Sequence, residues 1–312
     1  MNVDLFILNY NGAGFVGECI HSFSEAVKNS NYDCRVVVID NKSTDESVAF
    51  IKKAYPNVHL LLMSQNRVLC SFNNAASQSN ADIVFLLNND LKADPFSIDP
   101  MVSVFQENKD AFLVTAKSLL SDGSYEGGLS IPLMSYGMFS TTCHFPGYEK
   151  LKEESGFTFA AGFGAFHRQR FLELGGYDDL YLPGRVEDSD LMLRAWKKGW
   201  KCYYQPASIF YHMGGRSFKQ KYGERGTMEI AYRNSFLFMW KNIFSSEYVA
   251  AHFFFLLPRM IWMLMKGHWE FIAAFLKALT KLNLVIDRRA KEKKISYRFL
   301  DREVITLFAN GS

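Results

Sequence analysis

Along the first hundred or so residues, the hydrophobic positions switch repeatedly between two periods. Val3 to Leu8 is an almost unbroken apolar run, the pattern of a strand buried on both faces. From Gly14 to Val27 the apolar residues fall at helical spacing, with Phe15, Cys19, Ile20 and Phe23 on one side. Arg35 to Ile39 reads as a second strand that stops at Asp40-Asn41, and a Ser-Thr-Asp turn then opens a helix over Glu46 to Ala54. Val58 to Met63 is a third strand, and a helix around Asn73 to Gln78 leads to a fourth, Ile83 to Leu87. This alternation predicts an α/β fold with a mostly parallel sheet flanked by helices. Ligands of such sheets gather at the carboxyl ends of the strands. This chain carries Asn9, Asp40, Asn66 and Asp90 there.

From Ala111 to Phe159 the pattern weakens into short strands and glycine-rich turns. Phe157 to Arg168 reads as one strand, Arg170 to Leu174 as a short helix closed by Gly175-Gly176, and Ser189 to Lys198 as a helix ended by Gly199. Trp200 to Tyr204 is a late strand. After about Arg233 the chain turns apolar and aromatic as far as Leu284, then basic. The expected organisation is a domain over 1–233 and a helical appendage over 234–312.

Composition excludes several classes. A formal net charge of +3 over 312 residues is too small to imply nucleic acid. Cys19, Cys34, Cys70, Cys143 and Cys202 show no metal-like pairing, and their odd number argues against a disulfide framework, so buried thiols are expected. The N-terminus enters a strand at once, with Asp4 inside the apolar run, which does not read as a signal peptide.

The densest chemistry lies at Glu187-Asp188-Ser189-Asp190, three carboxylates just after the Pro183-Gly184 turn and at the start of an amphipathic helix. The helix dipole favours acidic residues there, but one carboxylate would satisfy that need. A second acidic element, Asn88-Asn89-Asp90, ends an apolar strand. Two carboxylate sites at element ends suit a metal-dependent transferase.

The order of motifs resembles glycosyltransferase family 2, of GT-A fold, and in particular its rhamnosyltransferase-like branch. The resemblance runs through Ile7-Leu8-Asn9-Tyr10-Asn11-Gly12, Val38-Ile39-Asp40-Asn41-Lys42-Ser43-Thr44-Asp45 and Leu87-Asn88-Asn89-Asp90. It continues through Ala161-Gly162, Leu174-Gly175-Gly176-Tyr177-Asp178, Glu187-Asp188-Ser189-Asp190-Leu191 and His212, which precedes Gly214-Gly215. It covers roughly residues 3 to 240. The chain keeps only the last acid of the family's Asp-x-Asp, replaces the usual glycines of the segment Asn66 to Asn74, and lacks the Gln-x-x-Arg-Trp of processive synthases.

The resemblance implies a Rossmann-like GT-A domain and an inverting, non-processive sugar transfer. The donor would be a nucleoside-diphosphate sugar such as dTDP-rhamnose or a UDP-hexose, and the acceptor a glycan or lipid-linked hydroxyl. Asp40 would hold the base or ribose, supported by Asn9, Asn66 and Asn89. Asp90 and His212 would hold Mg²⁺ or Mn²⁺ against the departing diphosphate. Asp188 would be the general base with Glu187 as the second choice, while Asp190 caps or orients. Arg225 and Arg233 would meet the diphosphate. Each role competes with a plainer one: a turn residue for Asp40 and Asp90, a structural imidazole for His212, surface charge for the arginines.

Tyr248 to Met265 is apolar but interrupted by His252, Pro258 and Arg259, whereas a spanning helix takes about 20 mostly apolar residues. With Trp262, Trp269, Phe271 and Phe275 among Lys266, Lys277 and Lys281, and Arg288, Arg289, Lys291, Lys293 and Lys294 beyond, the region reads as helices lying in a membrane interface. The competing expectation is that they cover the core or an oligomer seam. The sequence thus predicts a cytoplasmic enzyme, peripheral on the inner face of the cell membrane, acting in cell-surface polysaccharide synthesis. Two alternatives stand beside it: a nucleotidyltransferase making sugar nucleotides, and a degenerate transferase serving as a membrane scaffold.

Overall fold

A computed structural model describes residues 1–213 and 217–309, apart from the side chains at 217, 219 and 220. Gly214-Gly215 therefore lies outside the described residues. In chain order the elements are β1 (Asn2–Asn9), α1 (Val16–Lys28), β2 (Asp33–Asp40), α2 (Ser47–Ala54), β3 (His59–Leu62), α3 (Ser71–Gln78), β4 (Ile83–Asn88) and β5 (Leu91–Ala93). Then come α4 (Ile98–Glu107), β6 (Ala111–Leu120), β7 (Tyr125–Gly127), β8 (Ile131–Ser135), β9 (Met138–Thr142), α5 (Tyr148–Leu151), β10 (Gly156–Phe157), β11 (Gly164–His167) and α6 (Arg168–Glu173). The chain continues with α7 (Glu187–Lys198), β12 (Lys201–His212), α8 (Ser217–Asn242), α9 (Ser246–Met265), α10 (Trp269–Leu279), α11 (Leu282–Lys293) and α12 (Asp301–Ala309).

These elements form two compact units interleaved in sequence. One takes Met1–Ser130, Cys143–Tyr177 and Trp200–Gly214, and the other takes Ile131–Thr142, Asp178–Gly199 and Gly215–Ser312. Residue 233, the expected boundary, falls inside α8.

The first unit is built on one sheet in the order β10-β12-β6-β11-β4-β1-β2-β3, with β5 beside β12 and β7 beside β6. Strands β4, β1, β2 and β3 are mutually parallel, as the alternation predicts. Their apolar runs pack with α1 through Cys19, Ile20 and Phe23, and with α4 through Met101, Val102 and Phe105. Asp4, the charge inside β1, is buried but answered by Arg35 in two hydrogen bonds of 2.5 and 2.9 Å and by Ser79 at 2.6 Å. A buried carboxylate is tolerable only when paired in this way.

The middle of the chain departs from expectation. The weakly patterned stretch after Ala111 contains β6, a ten-residue strand buried along most of its length between β12 and β11. Burial on both faces removes the alternation that would have signalled it. The single strand expected over Phe157 to Arg168 is two, β10 and β11. Between them the backbone leaves the ladder, with Phe159 N–H donating to Ser130 O at 2.8 Å. The late strand does not stop at Tyr204 but continues as β12 to His212, with an irregularity between Gln205 and Ile209.

The second unit is helical apart from the β8–β9 hairpin. Helix α7 is almost wholly buried, from Leu191 and Met192 to Trp196. Helix α8 breaks at Gly223 (φ 69°), and its C-terminal part buries Phe236, Leu237 and Phe238. Phe236 packs on Phe271 and Phe275 of α10, Phe139 of β9 stacks on Phe238 at 4.3 Å, and Phe308 of α12 meets Trp196 edge-on at 5.2 Å. Many of the aromatics after residue 235 therefore pack on one another.

Several basic residues of this region are also engaged internally. Arg288 donates to Asp179, Arg289 to the carbonyls of Trp240 and Ile243 where α8 ends, Lys281 to Leu180 O, and Lys277 pairs with Glu229. Lys266, Lys291, Lys293 and Lys294 are exposed.

Candidate active site

The parallel register brings the ends of β1, β2 and β4 level, with Asn9 opposite Asp40 and Leu8 opposite Asn88. Asn9 is fully buried there, and its amide nitrogen donates to Asp40 Oδ1 (2.9 Å), Ser43 Oγ (3.2 Å) and Ser47 Oγ (2.9 Å). Its carbonyl accepts from Asn89 Nδ2 at 2.8 Å. Asn9 thus ties three strand ends together. Any side chain at Gly12 would run into Asn89 and Asn9.

Asp40 is buried and also accepts from Ser43 N–H (2.9 Å) and Ser43 Oγ (2.6 Å), which fixes its carboxylate. Next to it Asn41, which the sequence reading left without a role, donates to Val68 O at 3.1 Å and accepts from Ser71. Asn66 stands apart from this cluster: it is exposed, and its carbonyl accepts from Val68 N–H at 2.9 Å in a local turn.

Asp90 and His212 do meet. Strand β12 runs beside β5 and β6, setting His212 opposite Leu91 and Leu120, so that His212 Nε2 lies 3.1 Å from Asp90 Oδ2. The other ring nitrogen lies 2.6 Å from Glu126 Oε1, a β7 residue absent from the sequence reading. Glu126 also accepts from Ser118 Oγ at 2.6 Å. The bonds to Asp90 and then Glu126 push the His212 imidazole up to about 10, against the effect of its burial. Nothing local in Tyr125-Glu126-Gly127 marks Glu126, because its partner lies far along the chain.

The acid cluster separates into three fates. The turn before α7 is tense, with Arg185 and Val186 both at φ 75°, and no side chain caps the helix. Glu187 is buried, and its Oε2 has no hydrogen-bond partner among the described residues. Burial and then the Asp188 charge push Glu187 up to about 8. Burial also raises Asp188, partly offset by its bond from Ser189 N–H at 2.7 Å. The two neighbouring carboxyls are thus both raised, by burial first and, at Glu187, by the Asp188 charge as well.

Asp190 is no cap. It is fully buried and accepts from Arg194 Nε (2.8 Å), Lys241 Nζ (2.7 Å), Asn242 Nδ2 (2.7 Å) and Tyr181 OH (2.8 Å). Burial alone would raise its carboxyl; the charges of Arg194 and Lys241 outweigh that and hold it well below the usual range.

The two arginines differ. Arg225 is exposed on α8. Arg233 is half-buried and donates to Leu182 O at 2.6 Å and to Asn234 Oδ1, so part of its guanidinium serves the turn before α7.

A family model described as glycosyl transferase family 2 matches residues 4–172. The chain belongs to that family. The matched span runs from inside β1 into α6, and so includes the Asn9–Asp40–Asn89 cluster and Asp90 but not the acid pair. A Caenorhabditis elegans relative, named probable N-acetylgalactosaminyltransferase 9, is 28% identical over 152 residues, or 44% of this chain. This chain spans only about a quarter (26%) of that curated relative's length.

Among solved structures, GalNAc-T7 with UDP, GalNAc and Mn²⁺ superposes with a TM-score of 0.60 at 17% identity, over 80% of this chain and 49% of that one. TarS 1-349 of S. aureus in complex with UDP gives 0.50 at 12% identity, over 82% and 71%. These likenesses establish the GT-A fold of this family 2 member.

Proposed function

We propose that this chain transfers a single sugar, with inversion, from a nucleoside-diphosphate donor to an acceptor hydroxyl. The observation that carries the reading is the cross-linked edge of the parallel strands, where Asn9, Asp40 and Asn89 are locked together and Asp90 meets His212. In this reading Asp40, fixed by Asn9 and Ser43, accepts hydrogen bonds from ribose hydroxyls or a pyrimidine N–H. The ligands in the GalNAc-T7 structure make a UDP-N-acetylhexosamine the first donor to test, ahead of dTDP-rhamnose.

Metal chemistry fits the residues present. Among the described residues no three or more His, Cys, Asp or Glu side chains group as a metal site. A carboxylate and an imidazole converge, however, and that donor set suits Mn²⁺, with waters and the diphosphate completing the shell. When bound, such an ion supplies Lewis-acid stabilisation to the leaving diphosphate. Asp90 and His212 would hold it, with Glu126 orienting the imidazole from its other nitrogen. Asp188, held by the Ser189 N–H, takes the acceptor proton.

Asp90→Ala should abolish the gain in UDP affinity that Mn²⁺ confers, while metal-free UDP binding persists through Asp40. Calorimetric titration of UDP with and without Mn²⁺ checks this. An undiminished metal effect in the variant would move the site away from Asp90. Wild-type protein that binds UDP yet never hydrolyses or transfers a donor sugar would favour the scaffold reading.

The same proposal extends to location: the region 234–312 attaches the enzyme to the cytoplasmic face of the cell membrane, where a lipid-linked acceptor for a surface glycan would be met. Helix α9 supports it. Its polar interruptions turn inward, His252 bonding Trp240 and Gly137 O, and Arg259 donating to Ser135 O and Tyr136 O. What remains outside is an apolar stripe of Phe254 (74% exposed), Leu257 (65%), Ile261 (51%) and Met265 (81%), with Trp262 and Trp269 exposed near its end. Among the described residues, α9 is the one helix long and apolar enough to cross a membrane.

The double substitution Phe254→Glu, Leu257→Glu should keep the folding transition and abolish flotation with anionic vesicles, since burying those charges is costly. High salt should weaken flotation of the wild type only in part, since Arg288 and Arg289 are engaged internally. An intact chain that stays off vesicles and sediments as a dimer, dissociated by the same substitutions, would make the stripe an oligomer seam.

A further inference from the structure

The turn that presents the acid pair is held by one side chain from another helix. Asn234, fully buried on α8, donates through Nδ2 to the carbonyls of Tyr181 (2.6 Å), Gly184 (2.7 Å) and Arg185 (2.9 Å). An amide nitrogen has two hydrogens, so three acceptors share them in bifurcated bonds. The orientation of the amide is fixed from its other end, where Oδ1 accepts from Arg233 Nε (3.0 Å) and Nη2 (2.8 Å). Arg233 Nη2 also donates to Leu182 O at 2.6 Å. Two adjacent α8 residues therefore collect four carbonyls from residues 181–185.

Those carbonyls bracket an improbable backbone. Arg185 and Val186 both sit at φ 75°, a conformation that L-residues, and β-branched valine above all, rarely adopt. Such a pair persists only when its surroundings over-determine it, and strain of this kind gathers where geometry matters to function. Glu187 and Asp188 are the next two residues.

We propose that Asn234 is a positioning residue, whose amide holds the turn 181–186 in this form and so sets where Glu187 and Asp188 present their carboxylates. The proposal rests on the reading of that pair as the reacting acids. The residue type is specific: Asn234→Asp has the same shape but sets a carboxylate against three carbonyl oxygens, with no hydrogen left to share. Asn234→Ser keeps one donor on a shorter arm and serves as the milder variant.

The experiment uses the full chain and three readouts: amide hydrogen exchange over peptides covering 180–190, hydrolysis of UDP-GalNAc in Mn²⁺ with water standing in for the acceptor, and UDP affinity by calorimetry. Asn234→Asp should raise exchange of the 181–188 amides and lower kcat by about 10²-fold, the scale of a small misplacement of reacting groups. UDP affinity should stay within about twofold, giving a loss in kcat without a loss in binding. Asn234→Ser should move both quantities the same way by less. The control is Phe308→Ala, which loosens the same unit at the Trp196 contact and should leave kcat near the wild-type value.

Unchanged exchange at 181–188 in both Asn234 variants would overturn the proposal, as would raised exchange with normal kcat. So would a kcat loss matched by Phe308→Ala. If the wild-type protein hydrolyses no donor at all, the transferase reading fails instead, and the exchange result alone decides whether Asn234 holds the turn.

Discussion

Asp188→Asn should lower turnover by ~10²–10⁴-fold, the range typical of a lost general base. The substitution keeps the side chain's shape and its bond from Ser189 N–H, but the amide cannot take a proton. Nucleotide affinity should hold, because Asp40, Asn9 and Asn89 form their own cluster at the strand ends. Glu187→Gln is the informative partner. Glu187, raised to about 8, carries its proton near neutral pH, so the neutral amide mimics its resting form. That variant should keep far more activity than Asp188→Asn. Steady-state kinetics with UDP-GalNAc across pH 5–9 would measure both, and the reverse ranking would assign the base to Glu187.

Lys241→Met should cost about 3–5 kcal/mol of folding stability, the usual consequence of removing one partner from a buried ionic cluster. Lys241 is 1% exposed, and its ammonium donates to Asp178 Oδ2 at 2.8 Å and Asp190 Oδ1 at 2.7 Å. Methionine fills similar space, so the loss would come from charge rather than from a cavity. Arg194 still faces Asp190 in the variant, while Asp178 keeps the Leu180 N–H at 3.0 Å and Arg288 at 3.6 Å. Urea unfolding of the full chain measures the effect. A change under about 1 kcal/mol would mean that the cluster relaxes or hydrates, as exposed pairs do.

Had the spacing of polar residues on α8 been followed, this cluster was partly legible. Asn234, Lys241 and Asn242 interrupt a run that includes Phe236, Leu237, Phe238, Met239 and Trp240, and Asn234 and Lys241 fall seven residues apart on one helix face. Polar residues at core positions signal partners elsewhere, since each must be satisfied when buried. Which partners they find is not written at that spacing. Tyr181, Asp190 and the carbonyls before α7 lie about fifty to sixty residues upstream.

The sequence by itself determined the alternating elements through β4, the mostly parallel character of their sheet, the family, and the fact that Asp40, Asp90, Glu187 and Asp188 stand at element ends. All of these follow from local periodicity and from motifs read along the chain. Tertiary structure alone decided the pairings: Glu126 on His212, Asn9 as the tie between strand ends, Asp190 turned into a salt-bridged core, and His252 and Arg259 of α9 folded inward so that an apolar stripe is left exposed. It also found β6, which burial on both faces had hidden, and the full length of β12, whose pattern is broken by the irregularity between Gln205 and Ile209. Hydrophobic period fixes what an element is and which side it buries. The partner of a buried charge, by contrast, is chosen by whichever distant group the folded chain brings within about 3 Å, because an unpaired one costs too much to keep.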